Sequence, residues 1–199
     1  MASGKEPSSL FASDRERRLW VWTLAVVVAI YSTLGLARTL AGILRDEGIL
    51  VAAFGTGMVL VGATVLALGL RARPGAVEIG IALGIAAAYF MVMLRMALPE
   101  ERTHLIEYGV VAVFIHEALK ERARQGRRVP VPALWAIAAA SVVGTIDECI
   151  QWFLPSRVFD PEDILFNFLA ALMAVVSSVA LSWARRQRRD RGRTGTKRH

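Results

Sequence analysis

Ionisable and amide side chains interrupt an otherwise apolar run between residues 144 and 167. Asp147 and Glu148 precede Gln151 by four and three residues, so in a helix each carboxylate shares a face with the amide. In lipid such side chains are costly to bury and are usually functional. Two carboxyls this close in a low dielectric would share a proton, bind a cation or pair with an arginine. The stretch therefore predicts a functional site.

Polar residues recur in the two neighbouring apolar segments. His104 is followed by Glu107 after three residues and by Tyr108 after four, and Asp163 is followed by Asn167 after four. Both spacings place the side chains on one helix face. The predicted ligand-binding residues are His104, Glu107, Tyr108, Asp147, Glu148, Gln151, Arg157, Asp160, Asp163 and Asn167.

Three of these residues are candidates for catalysis. Asp147 or Glu148 would act as a general base, and His104 as an acid or a metal ligand. The sequence has no complete metal-ligand spacing, no nucleophile elbow and no nucleotide-binding glycine loop. We therefore predict neither a resident metal nor a cofactor, and whether the protein is an enzyme stays open.

Long apolar segments must position these residues. The chain has 199 residues, 55% hydrophobic content and a mean hydropathy of +0.45, which lies outside the usual range of soluble proteins. Its apolar runs of about 18 residues or more are long enough to cross a membrane. We predict an all-α membrane protein, a bundle of about six transmembrane helices. The predicted spans are 19–37, 49–70, 77–98, 103–119, 133–154 and 164–183.

The distribution of Lys and Arg supports the fourth span, which is short and carries three polar residues that lower its hydropathy. With six spans, 19 of the 24 Lys and Arg residues fall on one side and four on the other, while Arg95 lies within a span. The positive-inside rule then places both termini in the cytoplasm and the polar site at outer-leaflet depth. His116 would face headgroups at the cytoplasmic end.

The predicted organisation has four parts. They are a cytoplasmic segment at 1–18, three transmembrane helices at 19–98, a three-helix region with the polar site at 99–184, and a basic, disordered cytoplasmic tail at 185–199. The net charge of +7 comes from residues between and after the apolar runs. This pattern predicts contact with the lipid bilayer and its anionic headgroups, and no nucleic-acid binding.

Two motifs resemble the VanZ-like family of small bacterial membrane proteins. ERTHLIEYG, at 101–109, opens a helix with His104 and Tyr108. GTIDECIQWFLPSRVFDPEDILFN, at 144–167, carries the family's DE-x-x-Q and P-x-R-x-x-D-x-x-D-x-x-x-N patterns. The resemblance covers about residues 99–182 and departs from the family at 170–171, where Ala replaces an expected Gly.

The resemblance implies a multi-pass protein of the bacterial inner membrane that acts in the cell envelope. The family is named for a protein associated with low-level teicoplanin resistance, so a contribution to glycopeptide tolerance is an expectation for this chain. No biochemical activity is established for the family. The resemblance therefore indicates a location and a process but no reaction.

Three functions fit these observations, in this order of preference. An envelope factor would bind an amphiphile or lipid-linked cell-wall precursor at the outer leaflet, with Arg95, Arg102 and Arg157 on its phosphates. An intramembrane acid–base or metal-assisted enzyme is the second function. A proton- or cation-coupled small transporter is the third, although six spans are few and no inverted repeat is visible. The sequence does not indicate an oligomeric state.

Several of the polar residues also have structural explanations. Asp160 and Asp163 stand where a helix start places an N-cap and first-turn acids. Arg157 could pair with Asp160 or with a lipid phosphate, and Gln151 and Asn167 could join helices by hydrogen bonds. The two adjacent carboxyls at 147 and 148 serve no packing purpose, so they carry the functional prediction.

Overall fold

Six α helices and no strand make up the part of the chain that the computed structural model describes, residues 10–96, 99–153 and 161–195. This confirms the predicted all-α fold. The helices are α1 (Asp14–Asp46), α2 (Leu50–Arg71), α3 (Ala76–Arg95), α4 (Pro99–Arg124), α5 (Pro132–Trp152) and α6 (Pro161–Gly195).

Five of these helices are long and apolar enough to cross a membrane, namely α1, α2, α3, α5 and α6. In α2 no residue is buried, and its side chains are apolar on all sides. A helix of that kind is stable only with lipid around it. The chain is therefore a polytopic membrane protein.

The helices pack as two units. The first combines residues 1–32 with 105–175, so the first half of α1 packs with most of α4, with α5 and with the first half of α6. The second combines residues 33–104 with 176–199. The first unit has a core of small and β-branched side chains: Ile30, Val111, Ala112, Ile115, Ala136, Ala140, Ala171 and Val175.

A capping box starts α1 earlier than the sequence analysis placed its first span. Ser13 Oγ accepts a hydrogen bond from the Glu16 amide at 3.1 Å, and the Glu16 carboxylate accepts one from the Ala12 amide at 2.6 Å. These bonds satisfy backbone donors that would otherwise lack partners. Residues 14–18, predicted as a cytoplasmic segment, are therefore the first turns of the helix.

The same Glu16 side chain fixes the direction of α4 relative to α1. It is fully buried, and Arg122 Nη1 lies 3.0 Å from Glu16 Oε1, so the end of α4 meets the start of α1. Further along, the Tyr31 hydroxyl donates to the Val143 carbonyl at 2.7 Å, so α1 packs against α5. Because α5 starts at Pro132, soon after α4 ends at Arg124, α5 begins on the side where α1 begins and runs parallel to it. Helix α4 therefore runs through the first unit opposite to α1 and α5.

Helix α4 does not qualify by composition, so its place as the sixth span stays a prediction. Its 26 residues extend about 39 Å, more than the hydrocarbon core of about 30 Å. Its inner face is almost completely buried against the other helices of the first unit, so packing rather than hydropathy holds it in place. That face comprises Leu105, Tyr108, Val111, Ala112, Ile115 and Ala118, all at most 3% exposed.

We predict opposite labelling of two engineered cysteines, which tests the α4 span. In a Cys149→Ala background, Glu47→Cys in the α1–α2 connection should react with a membrane-impermeant thiol reagent on intact cells. Arg128→Cys, in the α4–α5 connection, should react only after the cells are opened. Both positions are exposed, and the positive-inside rule predicts that they lie on opposite sides of the membrane. Labelling of both on intact cells would contradict a membrane-spanning α4.

Two expectations about individual segments are wrong. His116 is 3% exposed and lies inside the first unit, so it does not face headgroups. The basic tail is not disordered over residues 185–195, because α6 continues to Gly195. In the second unit, Arg188 donates to the Arg73 carbonyl at 2.7 Å, and its guanidinium lies 3.5 Å from the buried Glu78 carboxylate. These contacts hold the extension of α6 in helical form.

Candidate functional site

Helix α5 has its apolar and polar faces inverted relative to a helix of a soluble protein. One face is buried along its whole length, with small residues first and polar residues in the last two turns: Ala136, Ala140, Gly144, Asp147, Glu148 and Gln151. The opposite face carries exposed residues, most of them large and apolar: Trp135, Val142, Ile146, Cys149 and Trp152. This distribution is what a membrane helix requires when its polar groups serve an internal site.

One amide nitrogen serves both carboxylates of α5. Gln151 Nε2 donates to Asp147 Oδ2 at 3.1 Å and to Glu148 Oε1 at 3.2 Å, as the sequence spacing predicts. Asp147 and Glu148 are 0% exposed, and Asp147 Oδ1 has no hydrogen-bond partner among the described residues. Burying charge in this way is costly unless a proton or a cation neutralises it.

Two tyrosines from other helices approach the same carboxylates. Tyr108 of α4 is fully buried, and its hydroxyl faces Asp147. Tyr31 of α1 lies close enough to Asp147 to interact with it while its hydroxyl donates to the α5 backbone. Tyr31 was not among the predicted site residues. Its only signal in the sequence is an aromatic hydroxyl late in an apolar span.

Helix α6 brings an amide and an acid to this face. Asn167 is 0% exposed, and its Nδ2 donates to the Gly144 carbonyl at 3.4 Å. A Cβ atom at Gly144 would lie 2.7 Å from Asn167 Cβ, so only glycine permits this approach. Asp163, half-buried one turn earlier, has a carboxylate oxygen within 4.8 Å of one from Glu148. Gly144 was also absent from the predicted site. It lies three residues before Asp147, so the two share a helix face, and that spacing could have identified it.

We call the side chains gathered in the first unit the polar cluster. Its members come from α4, α5 and α6: Tyr108, Asp147, Glu148, Gln151, Asp163 and Asn167. Four predicted site residues remain outside this definition. Glu107 is half-buried on α4, and His104, 5% exposed, is on α4 in the second unit. Arg157 and Asp160 lie outside the described residues.

Small residues allow α4 and α6 to approach each other closely beside the polar cluster. A Cβ atom at Gly109 would lie 3.6 Å from Ala174 Cβ and 3.9 Å from the Ala170 carbonyl. Ala170 and Ala171 are both fully buried. The alanines that depart from the family pattern therefore still provide a smooth helix surface.

A family model described as VanZ/LLP1 matches residues 81–182, just over half of the chain. The matched range includes the whole polar cluster. Neither a curated protein nor a solved structure matches the chain.

Proposed function

We propose that this chain, which belongs to the VanZ/LLP1 family, uses its polar cluster to bind the head group of an envelope amphiphile or a lipid-linked cell-wall precursor. The observation that carries the proposal is the inverted face of α5. Two fully buried carboxylates and an amide lie within about 8 Å of the end of a membrane helix. Polar groups at that depth can be reached by a head group from the adjacent leaflet while its chains stay in lipid.

The orientation of the protein decides which leaflet supplies the ligand. With both termini in the cytoplasm, the end of α5 and the start of α6 lie at the outer leaflet of the bacterial cell membrane. Cell-wall precursors carry their saccharide and peptide at that surface. Hydroxyl and amino groups of such a head group are suitable partners for carboxylate and amide oxygens.

Of the three arginines predicted as phosphate partners, Arg157 lies outside the described residues and Arg95 is exposed at the end of α3. In the second unit, Arg102 donates to the Met96 carbonyl at 3.0 Å, and its guanidinium lies 6.0 Å from the ring centroid of Phe54. These contacts already occupy part of the Arg102 guanidinium. The proposed head-group site therefore rests on the polar cluster and not on Arg102. At the opposite membrane face, the exposed Arg186 and Arg189 on the helical extension of α6 would contact anionic lipid.

An intramembrane acid–base enzyme is the second candidate, favoured by the shared amide donor. Two buried carboxyls that face one amide can exchange a single proton, which is the first requirement of a general base. In an enzyme of this kind, Glu148→Gln would abolish turnover of the bound ligand but leave its binding intact. In a binding protein the same substitution would weaken the binding itself.

We predict that Glu148→Gln removes the ligand from the purified protein. Wild type, Glu148→Gln and Glu162→Gln are extracted with their surrounding lipid by a styrene–maleic acid copolymer, and the lipids are identified by mass spectrometry. Glu162 is the matched control because it is an acid on the first turn of α6 that is exposed. Enrichment of one envelope amphiphile in wild type and the control, but not in Glu148→Gln, is the expected result. The same lipid profile in all three would contradict the proposal.

The family relationship extends the proposal to glycopeptide tolerance. Cells that express the wild-type chain should then survive higher teicoplanin concentrations than cells that express Glu148→Gln at equal membrane levels.

A further inference from the structure

We propose that the second unit retains one anionic phospholipid where the helical extension of α6 meets the connection between α2 and α3. We call this place the arginine site, and its members are Arg71, Arg73, Arg185 and Arg188. The site shares no residue with the polar cluster and does not depend on the proposed function. General attraction to a charged membrane would let lipids exchange freely, whereas this site would hold one of them in place.

Contacts with α3 and with the turn before it hold Arg188 in a fixed position. Its Nη1 atom donates to the Arg73 carbonyl at 2.7 Å and lies 3.5 Å from Glu78 Oε1. Its Cδ atom passes Gly75, where an added Cβ would lie only 3.4 Å away. These polar contacts use Nη1, and the side chain is 56% exposed. The other N–H groups of the guanidinium can therefore reach a ligand.

The Glu78 carboxylate orients two arginines but cannot balance the charge of the site. Its side chain is 8% exposed, and Arg185 Nε lies 3.7 Å from its second oxygen, Oε2. Arg185 is more than half exposed, as Arg188 is. Arg71 and Arg73 add two exposed basic side chains that form no ion pair within the described part of the chain. One carboxylate thus lies among four guanidinium groups, which favours the binding of an anion.

Exposed apolar side chains border the arginine site and indicate its depth in the membrane. Leu68 and Leu70 are 59% and 60% exposed just before Arg71 at the end of α2, and Trp183 is 52% exposed two residues before Arg185. Exposed tryptophans are typical of the interface between hydrocarbon and head groups. The guanidinium groups therefore lie at the level of lipid phosphates, with a surface for acyl chains next to them.

Charge and depth together indicate the class of ligand. Guanidinium groups bind phosphate through pairs of N–H donors, and basic pockets between transmembrane helices bind anionic lipid head groups. A free phosphate would satisfy the charge but would not cover the apolar surface of α2, in which no residue is buried. An anionic phospholipid does both. With both termini in the cytoplasm, it would come from the inner leaflet.

Native mass spectrometry of the full chain tests the proposal. The protein is delipidated in a neutral detergent and titrated separately with phosphatidylglycerol and phosphatidylcholine. Wild type should bind one phosphatidylglycerol about tenfold or more tightly than phosphatidylcholine, as a hydrogen bond between charged groups predicts. Arg188→Lys keeps the charge but loses the planar group that can contact the Arg73 carbonyl and a phosphate together. It should weaken phosphatidylglycerol binding by about tenfold.

Arg186→Lys is the matched control on the same extension. Arg186 is exposed and forms no ion pair among the residues that the structure describes. Its replacement should leave the affinity for phosphatidylglycerol within about twofold of wild type, because the surface charge is unchanged. Arg185→Lys, at a longer distance from Glu78, is a second test variant and should also weaken binding. Circular dichroism should show the helical content of wild type in each variant.

Three outcomes would overturn the arginine site. Equal affinities of wild type for the two lipids would show that no anionic phospholipid is selected. Unchanged affinity in both Arg188→Lys and Arg185→Lys would show that net charge alone attracts the lipid. Displacement of the lipid by an equal concentration of inorganic phosphate would identify the ligand as a free anion. None of these results involves Glu148, so the arginine site can fail while the amphiphile proposal stands.

Discussion

Gly144→Ala should destabilise the protein by about 1–3 kcal/mol, the usual cost of overpacking a close contact. The added Cβ would lie 2.7 Å from Asn167 Cβ and 3.0 Å from Asn167 Cγ, which real side chains do not tolerate. Asn167 is fully buried and donates to the carbonyl of Gly144 itself, so it cannot move away without losing that bond. Helices α5 and α6 must therefore separate.

Gly62→Ala is the matched control for this prediction. Gly62 lies in the middle of α2, and nothing among the described residues is within 4 Å of a Cβ placed there. In a helix interior, replacing Gly by Ala normally stabilises by about 1 kcal/mol. The two substitutions should thus change the free energy of unfolding in opposite directions. This is measured by SDS-induced unfolding in mixed micelles. A Gly144→Ala variant as stable as wild type would show that α5 and α6 are not packed as described.

The same substitution has a consequence for the polar cluster. Separating α5 from α6 moves Asp163 away from Glu148, because the two acids lie one turn from the Gly144–Asn167 contact on their respective helices. Gly144→Ala should therefore also reduce the amount of envelope amphiphile that co-purifies with the protein, although it removes no side chain of the polar cluster. Gly62→Ala should leave that amount unchanged.

The local geometry of the site could be predicted from the sequence, whereas its long-range contacts could not. Gln151 reaches both Asp147 and Glu148 because spacings of three and four residues always meet on a helix. Tyr31 lies 112 residues from Val143 in the chain and contacts it only because α1 packs beside α5. No residue pattern around Tyr31 predicts that contact.

The helices likewise divide into those that composition predicts and those that depend on packing or local hydrogen bonds. Hydropathy alone predicts α2, α3 and α5, since their side chains must match lipid. Hydropathy did not predict α4, because its buried face carries polar residues that lipid would reject. Its prediction as a span needed the count of positive charges. The early start of α1 depended on the Ser13–Glu16 capping box, whose signature precedes the apolar run.

Arg122→Ala should destabilise the first unit by about 3 kcal/mol, the lower end of the cost of breaking a buried ion pair. Glu16 is fully buried and Arg122 is about one-third exposed, at a distance of 3.0 Å. Removing the arginine leaves the Glu16 carboxylate with the Trp20 indole and the Ala12 amide as donors, at 3.4 and 2.6 Å. No other ion pair of Glu16 is formed within the described part of the chain. The start of α1 would then keep only its weaker contacts with α4, from Ser13 and Arg15 to the carboxylate of Glu121.

Arg124→Ala is the control, because it removes the same charge two residues away on the same helix. Arg124 is half-exposed and lies 3.8 Å from Glu121, which is a weak ion pair. Arg124→Ala should therefore lower the stability much less than Arg122→Ala does. Adding Glu16→Gln to Arg122→Ala should recover part of the stability, since the stranded charge rather than the lost contact causes most of the damage. Equal losses for Arg122→Ala and Arg124→Ala would show that Glu16 is solvated. In that case the contacts of Ser13 and Arg15 with α4 and the apolar face would hold α1. The position of Tyr31 beside Asp147 would then not depend on the Glu16–Arg122 ion pair.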